Sequence, residues 1–324
     1  MNVLLEADGV GRQFGTRRNA VRAVSDVSLR LGRGEALGLV GESGSGKSTL
    51  GRLLLGLLPP STGAIRFDGA PLPAAPGPAL RRRMQLVFQD PYASLDPRRR
   101  VGVQIADGLA IHRIGPRAEH GARVAALLEQ VGLEAAHAAR YPHEFSGGQR
   151  QRIGIARALA PEPDLLVADE PVSALDVSVQ AQVLALLADL RARLGLALLF
   201  ISHDLAVVRH LCDRVAVMYL GRVVEEGPST SLFAAPRHPY TQALLSASPQ
   251  LDPALRRTRI TLHGEPPSPM APPSGCVFRT RCSLAIASCA EAIPAWRDLG
   301  NGHRVACIRD AVGSPLTPVR RLPA

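Results

Sequence analysis

Residues 41–48 read Gly41-Glu42-Ser43-Gly44-Ser45-Gly46-Lys47-Ser48 and match the pattern G-x-x-x-x-G-K-[ST] at every fixed position. Periodicity predicts an apolar strand over residues 35–40, which enters this loop, and a helix over 48–58, which leaves it. Glycines allow successive backbone N–H groups to turn inward around an anion, and the helix adds the partial positive charge of its N-terminus. Lys47, the only lysine among the 38 basic residues, would reach the β- and γ-phosphates, and the Ser48 hydroxyl would ligate Mg²⁺. We therefore expect this loop to bind a nucleoside triphosphate.

Strands and helices alternate along the rest of the chain. The segments predicted as strands are 64–67, 84–89, 164–169 and 196–202, with a hairpin over 215–224. Residues 1–60 are interpreted as short strands followed by the helix of the phosphate loop, 70–78 as a loop, and 101–133 as helical. This order predicts an α/β fold with a mainly parallel sheet wrapped by helices and a helical insertion over about 90–163.

An acid pair, Asp169-Glu170, follows the predicted strand at 164–169. The carboxyl end of a buried strand is where an α/β sheet carries its ligand chemistry. Asp169 suits a Mg²⁺ ligand, and Glu170 suits the polarisation of an attacking water. Taken alone, the pair is explained equally well as a helix cap.

A second helix start follows the segment Phe145-Ser146-Gly147-Gly148-Gln149. Free N–H groups, a hydroxyl and a favourable helix dipole make this turn a second anion site. One ATP has a single triphosphate, so two such sites in one chain suggest that each nucleotide is shared with a partner subunit. An ordinary N-cap remains the alternative.

Taken together, these segments resemble the nucleotide-binding subunits of ABC transporters, in the order that this family shows and over roughly residues 1–235. Residues 41–48 resemble its Walker A motif, Gln89 the Q-loop, 145–149 the signature motif, Asp169-Glu170 Walker B, 173–176 the D-loop and His203 the H-loop. The resemblance implies a phosphate-loop NTPase fold with an N-terminal antiparallel β subdomain, a helical subdomain and a short C-terminal extension. It also implies ATP as substrate and Mg²⁺ as its metal.

The resemblance implies a role for each matching residue. ATP would be bound by residues 41–49, including Thr49, with Phe14 stacking on adenine, and by Ser146, Gly147, Gly148 and Gln149 from the other subunit. Glu170 would act as general base, with Lys47 and His203 at the γ-phosphate, and Ser48, Gln89 and Asp169 would contact the metal. Asp176 would link the two sites across the dimer. From the residues alone, Gln89 could equally be a solvated loop residue and His203 a cap.

Four further segments narrow the resemblance. Residues 88–97, 140–148, 172–180 and 238–245 resemble the ATPase subunits of bacterial oligopeptide and dipeptide importers, and Asp90-Pro91-Tyr92 resembles their F-type subunit. This implies import of peptides or a related small solute through two separate transmembrane permease subunits. The implied partners also include a second, D-type ATPase chain and an extracytoplasmic solute-binding protein.

The predicted C-terminal extension, residues 236–324, carries four of the five cysteines. Those four are Cys276, Cys282, Cys289 and Cys307. A disulfide framework is disfavoured in a cytosolic protein, and the gaps do not suit a zinc site. The importer resemblance implies that they hold a [4Fe–4S] cluster. Free or simply buried thiols remain the alternative.

Composition restricts the remaining classes of function. A hydrophobic content of 46% excludes wholesale disorder, and no apolar run is long enough for a membrane span. The N-terminal residues lack the features of a signal peptide, so we expect a peripheral protein on the cytoplasmic face of the membrane. The net charge of +10 leaves one alternative, a soluble ABC-type ATPase that acts on nucleic acid or ribosomes. Because the charge is almost entirely arginine spread along the chain, we expect no nucleic-acid partner.

Overall fold

The computed structural model describes residues 2–16, 19–90, 92, 94–247 and 260–309. Two positions of the importer-like segment 88–97, residues 91 and 93, lie outside the described residues. So do 248–259 and 310–324 of the predicted extension.

Two sheets contain the strands of the described residues. The strands are β1 (Val3–Phe14), β2 (Val21–Gly32), β3 (Ala36–Val40), β4 (Thr62–Phe67), β5 (Ala70–Pro71), β6 (Met84–Val87), β7 (Leu165–Asp169), β8 (Ala197–Ser202), β9 (Arg214–Tyr219), β10 (Arg222–Pro228), β11 (Arg297–Asp298) and β12 (Arg304–Val305). The first sheet has the order β2-β1-β4-β5, and all of its pairs are antiparallel. The second has the order β11-β12-β10-β9-β3-β8-β7-β6. In this second sheet the neighbouring strands β6, β7, β8, β3 and β9 pair in parallel. Strands β10, β12 and β11 extend the sheet beyond β9 with antiparallel pairs.

The α-helices of the described residues pack on the second sheet or on one another. They are α1 (Lys47–Leu54), α2 (Pro78–Arg83), α3 (Val101–Ile111), α4 (His120–Gln130), α5 (Gly147–Leu159), α6 (Val177–Leu194), α7 (Leu205–Leu211), α8 (Ser229–Ala234) and α9 (Pro239–Ala247). Strands β3, β7 and β8 are buried along their whole length, because helices or the other sheet cover both faces. The predicted α/β fold with its antiparallel β subdomain and helical subdomain is confirmed.

The parallel strands fix where the functional segments meet. Strand β3 leads into the phosphate loop, β6 leads to Gln89, β7 ends at Asp169, and β8 leads to His203. Because parallel strands have their carboxyl ends at one edge of the sheet, segments far apart in sequence become neighbours there.

The prediction of short strands within residues 1–60 is confirmed for β3 and wrong for the first two strands. Strands β1 and β2 each span 12 residues and pair as one long hairpin with several register shifts. The bulges at these shifts let a long ribbon twist, and this twist is not visible in a local pattern. The first helix also ends at Leu54, earlier than predicted, since Gly56 adopts a left-handed φ of 65°. The predicted loop at 70–78 contains the two-residue strand β5.

The C-terminal part of the chain packs against the sheet. Strand β12 pairs with β10, and the backbone N–H of Arg22 donates to the carbonyl of Pro269. Phe278 and Tyr240 are fully buried beside Tyr219 of β9. Among the described residues, no helix has the length and apolar character that crossing a membrane requires.

Candidate active site

The phosphate loop is packed closely between strands β2 and β9. A Cβ on Gly46 would lie 2.1 Å from the carbonyl oxygen of Ala23, and one on Gly41 would lie 2.1 Å from that of Met218. Gly46 also has a φ of 104°, which other residues rarely adopt. On the outer side, the N–H of Gly221 donates to the carbonyl of Ser45 at 2.8 Å. The two glycines are therefore required by the loop's contacts as well as by its curvature.

Lys47 lies inside the loop that it follows. Its Nζ donates to the carbonyl oxygens of Gly41 at 2.8 Å and Glu42 at 2.9 Å, and the residue is only 4% exposed. Burial lowers the pKa of Lys47, although the nearby carboxylates of Glu170 and Asp169 act in the opposite direction. The buried hydroxyl of Ser45 has no hydrogen-bond partner among the described residues. The buried ammonium group of Lys47 and the unpaired hydroxyl of Ser45 are both groups that can bind an anionic ligand in this loop.

Ser48 and Asp169 meet beside the loop. The Ser48 hydroxyl donates to Oδ1 of Asp169 at 2.8 Å. Burial raises the pKa of Asp169, and the hydrogen bond from Ser48 opposes this effect. A hydroxyl and a carboxylate side by side are oxygen ligands of the kind that Mg²⁺ takes alongside phosphate.

Glu170 lies between Gln89 and His203. Its Oε2 is 3.2 Å from Nε2 of Gln89 and 3.3 Å from Nδ1 of His203. The backbone of Glu170 has a left-handed φ of 46°, and its N–H donates to the carbonyl of Ile201. A left-handed backbone conformation is sterically costly for a residue other than glycine. Glu170 adopts it at the point where its side chain contacts Gln89 and His203. The structure thus brings together the three side chains that the sequence places on separate strands.

The segment around Ser146 forms an N-cap in this single chain. The Ser146 hydroxyl accepts from the N–H of Gln149 at 3.3 Å, and the Gln149 side chain accepts from the N–H of Ser146 at 3.0 Å. Ser146 stays exposed at the start of α5. Gly148 instead meets α6, where a Cβ would lie 2.2 Å from Cγ1 of Val179. Gly148 therefore allows α5 and α6 to pack closely. Ser146 and Gln149, which cap α5, leave the N-terminus of this helix at the surface.

The remaining predicted site residues lie on β1, at the start of α6, on the phosphate loop and on α1. Phe14 ends β1, half-buried, with the guanidinium of Arg12 4.8 Å from its ring centre. Asp176 caps α6 by accepting from the N–H of Val179 at 3.0 Å and from the Ser178 hydroxyl at 2.8 Å. These hydrogen bonds hold the pKa of Asp176 below its usual value. Ser43 and Gly44 lie exposed on the phosphate loop, and Thr49 lies on α1.

Two residues of the C-terminal part contact the phosphate loop, and the sequence did not reveal them. Arg281 donates to the Glu42 carboxylate with N–O distances of 2.7 and 3.2 Å. The Tyr240 hydroxyl accepts from the backbone N–H of Glu42 at 2.8 Å. Burial alone would lower the pKa of Arg281, but its hydrogen bonds to Glu42 and Tyr219 outweigh burial and raise it. No local pattern marks a contact between residues 239 positions apart.

The four predicted cysteine ligands face one small cavity without forming a ligand set. Cys276, Cys282, Cys289 and Cys307 line the cavity together with His238, and all four are free thiols. Burial raises the pKa of Cys276 and Cys307, and raises that of Cys282 to about 11. Within the described part of the chain, no three or more Cys, His, Asp or Glu side chains are arranged to hold a metal ion. The geometry of the thiols therefore does not support the predicted iron–sulfur cluster.

The families and relatives that this chain matches are ATP-binding transport proteins, in agreement with the geometry of the site. Residues 24–173 match the ABC transporter family, and residues 224–289 match the oligopeptide/dipeptide transporter C-terminal region. A Brucella ovis protein named for peptide import and ATP binding is 55% identical over 312 residues, covering 95% of this chain and 98% of the relative. The dipeptide transport ATP-binding protein DppF of Haemophilus influenzae is 49% identical, covering 94% of this chain and 96% of the relative.

Solved structures agree with the fold. A dimeric ATP-binding cassette in a post-hydrolysis state with ADP and Pi superposes with a TM-score of 0.64 at 28% identity. The match covers 70% of this chain and 99% of that cassette. The chain belongs to the family of ATP-binding subunits of ABC-type oligopeptide and dipeptide transporters.

Proposed function

We propose that this chain binds and hydrolyses ATP to power the import of oligopeptides, dipeptides or a related small solute through separate transmembrane permease subunits. The observation that carries the proposal is the meeting of Lys47, Ser48, Asp169 and Glu170 at one edge of the parallel sheet. The alternative of a soluble ATPase acting on nucleic acid or ribosomes is not favoured, since relatives at 55% and 49% identity are named for peptide import and dipeptide transport.

Each of these side chains has a defined task in hydrolysis. Lys47 exchanges its bonds to the loop carbonyls for phosphate oxygens, and the loop N–H groups bind the same anion. Ser48 and Asp169 would hold Mg²⁺, which, when bound, neutralises charge on the phosphate oxygens. Glu170 orients a water and accepts its proton, while Gln89 and His203 hold the Glu170 carboxylate in place. The protein contributes positioning and charge stabilisation, which phosphoryl transfer chiefly requires.

A second ATPase chain would complete the site. Ser146 and the N-terminus of α5 are exposed and face no phosphate-loop residue through a hydrogen bond in the described chain. A triphosphate held by the phosphate loop of one chain and by this turn of another would use both anion sites. The solved relative with ADP and Pi is itself dimeric. We propose a different, D-type chain as the partner, with this chain as the F-type subunit.

An open groove beside Gln89 is the proposed docking face for the permease subunits. Phe88 and Ile111 line it and are 47% and 69% exposed, so two large apolar side chains in the same groove are open to a partner. Tyr92, in the segment after Gln89, lies on Arg150 of α5 with the guanidinium 4.0 Å from its ring centre. A permease segment in this groove would therefore contact both the nucleotide site, through Gln89, and the signature helix. We propose that the chain is a peripheral subunit at the cytoplasmic face of the membrane and works alongside an extracytoplasmic solute-binding protein.

A [4Fe–4S] cluster on Cys276, Cys282, Cys289 and Cys307 is a separate hypothesis. It is supported by the convergence of the four thiols on one cavity. It is opposed by the finding that, among the described residues, no three or more side chains are arranged to hold a metal ion. Protein purified without oxygen would contain iron and sulfide at about four per chain if the cluster is present. Colourless, iron-free protein with four titratable thiols would establish the buried-thiol alternative.

The test of the main proposal is Glu170→Gln in the transporter assembled with its permease and partner subunits. We expect ATP hydrolysis and peptide uptake into vesicles to fall by about 100-fold or more, while ATP stays bound between the ATPase subunits. Glu129→Gln, at an exposed position on α4, is the matched control and should leave both rates unchanged. Wild-type hydrolysis in Glu170→Gln would overturn the general-base role, and hydrolysis without uptake in the native assembly would overturn the transport function.

A further inference from the structure

The C-terminal part of the chain holds the second residue of the phosphate loop at two points. Arg281 binds the Glu42 carboxylate through both of its terminal nitrogens, and Tyr240 binds the Glu42 main chain through its hydroxyl. The two residues lie 239 and 198 positions from Glu42 along the chain. Both the main chain and the side chain of Glu42 are therefore fixed by residues outside the nucleotide-binding motifs.

These contacts are made by buried, well-packed side chains. The Arg281 side chain is 8% exposed, and Tyr240 is fully buried. The Tyr240 ring lies 4.7 Å from that of Tyr219 and 5.3 Å from that of Phe278, centre to centre. An ion pair with one buried partner and two hydrogen bonds is stronger and less screened than a pair on the surface.

The charge on Glu42 makes this contact relevant to the nucleotide. Glu42 is the only acidic residue within 41–48, and its own carbonyl accepts from Nζ of Lys47. An unpaired carboxylate in this loop would repel a triphosphate and would compete for Lys47. Paired with Arg281, the carboxylate is neutralised where the phosphates bind.

We propose that Arg281 and Tyr240 are positioning residues of the nucleotide site, which hold and neutralise Glu42 so that the phosphate loop accepts a triphosphate. This inference rests on the proposed function, because it assigns supporting residues to the same ATP site. It makes the C-terminal extension a part of that site.

The test is equilibrium binding of MgATP and MgADP to the full chain carrying Arg281→Met. We expect affinity for MgATP to fall about tenfold and affinity for MgADP to fall less, since the unpaired carboxylate repels the more highly charged ligand more strongly. Adding Glu42→Gln to Arg281→Met should restore MgATP affinity to within about threefold of wild type, because the repelling charge is gone. Tyr240→Phe should weaken MgATP binding by about threefold through loss of one hydrogen bond.

Two further variants separate this role from simple anchoring of the C-terminal part. Arg281→Lys keeps the positive charge but loses the two-pronged pair with Glu42, so its affinity for MgATP should lie between those of wild type and Arg281→Met. Arg279→Met, which removes a guanidinium that donates to Ser274 within the same segment, should bind MgATP like wild type. If Arg281→Met binds like wild type, or if Glu42→Gln fails to rescue it, the inference is wrong. If wild type itself binds no MgATP, the proposed function fails first, so the two failures are distinguishable.

Discussion

The hydroxyl of Ser48 lies 2.8 Å from a carboxylate oxygen of Asp169, although the two residues are 121 positions apart in sequence. Ser48 lies in the first turn of α1, the helix after the phosphate loop, and Asp169 ends β7, which lies two strands from β3 in the sheet. Their contact joins the two halves of the predicted metal site. It also links the nucleotide to the acid pair, since Glu170 is the next residue.

Removing the Ser48 hydroxyl tests the metal site. We expect Ser48→Ala to raise the Mg²⁺ concentration needed for half-maximal ATP hydrolysis by about tenfold or more, since one lost interaction of ~1.4 kcal/mol already has that effect. Ser48→Thr, which keeps a hydroxyl, should need nearly the wild-type concentration. Equal Mg²⁺ dependence in all three proteins would show that Ser48 is not a ligand.

The packing of Gly148 predicts a stability effect with a specific rescue. Gly148→Ala should lower the free energy of unfolding by about 1–3 kcal/mol, because its methyl group would overlap Cγ1 of Val179. Adding Val179→Ala removes the obstructing methyl groups and should recover most of the loss in denaturant titrations. Gly154→Ala is the control, since a Cβ at Gly154 in the same helix meets nothing within 4 Å. A double variant as unstable as Gly148→Ala would contradict this interpretation.

The proposed docking groove predicts a loss of coupling without a loss of ATP binding. Ile111→Asp places a charge on an exposed apolar side chain, so it should weaken co-purification with the permease subunits by about tenfold or more. ATP binding by the isolated chain should not change, since the hydrogen bonds that position Lys47, Ser48 and Glu170 in the described part of the chain do not involve Ile111. Met270→Asp, at an exposed apolar residue in the C-terminal part, is the control. Normal assembly of Ile111→Asp would rule out this face.

Burial of His238 predicts lower stability in mild acid. Burial lowers the pKa of His238 from 6.5 to about 4, so between these values the unfolded chain binds a proton that the folded chain excludes. Stability is therefore fully present above pH 6.5 and is lost as pH falls toward 4, by about 2 kcal/mol between pH 7 and 5. His238→Asn can keep the hydrogen bond from the N–H of Tyr240 without titrating. Urea titrations should show a smaller pH dependence for this variant, and an unchanged dependence would contradict the assignment.

The sequence by itself determined the segments that carry the nucleotide chemistry. The spacing within residues 41–48, the acid pair after an apolar strand and the helix start at Ser146 each follow from local requirements, because phosphate loops, buried strands and helix caps restrict residue types over a few positions. Gln89 and His203 were identified only through the resemblance to ABC-transporter subunits, because neither residue is distinguished by its local sequence.

The tertiary structure alone decided the contacts between distant segments. One example is the pairing of Glu42 with Arg281, and another is the approach of Gly148 to Val179. A third is the convergence of four cysteines on one cavity, where the described residues form no metal ligand set. Such contacts depend on how sheets, helices and the C-terminal part pack. The local preference of residues for helix, strand or turn does not predict that packing. Arg281 is one of many arginines in the sequence, and only its buried position beside the phosphate loop distinguishes it from the others.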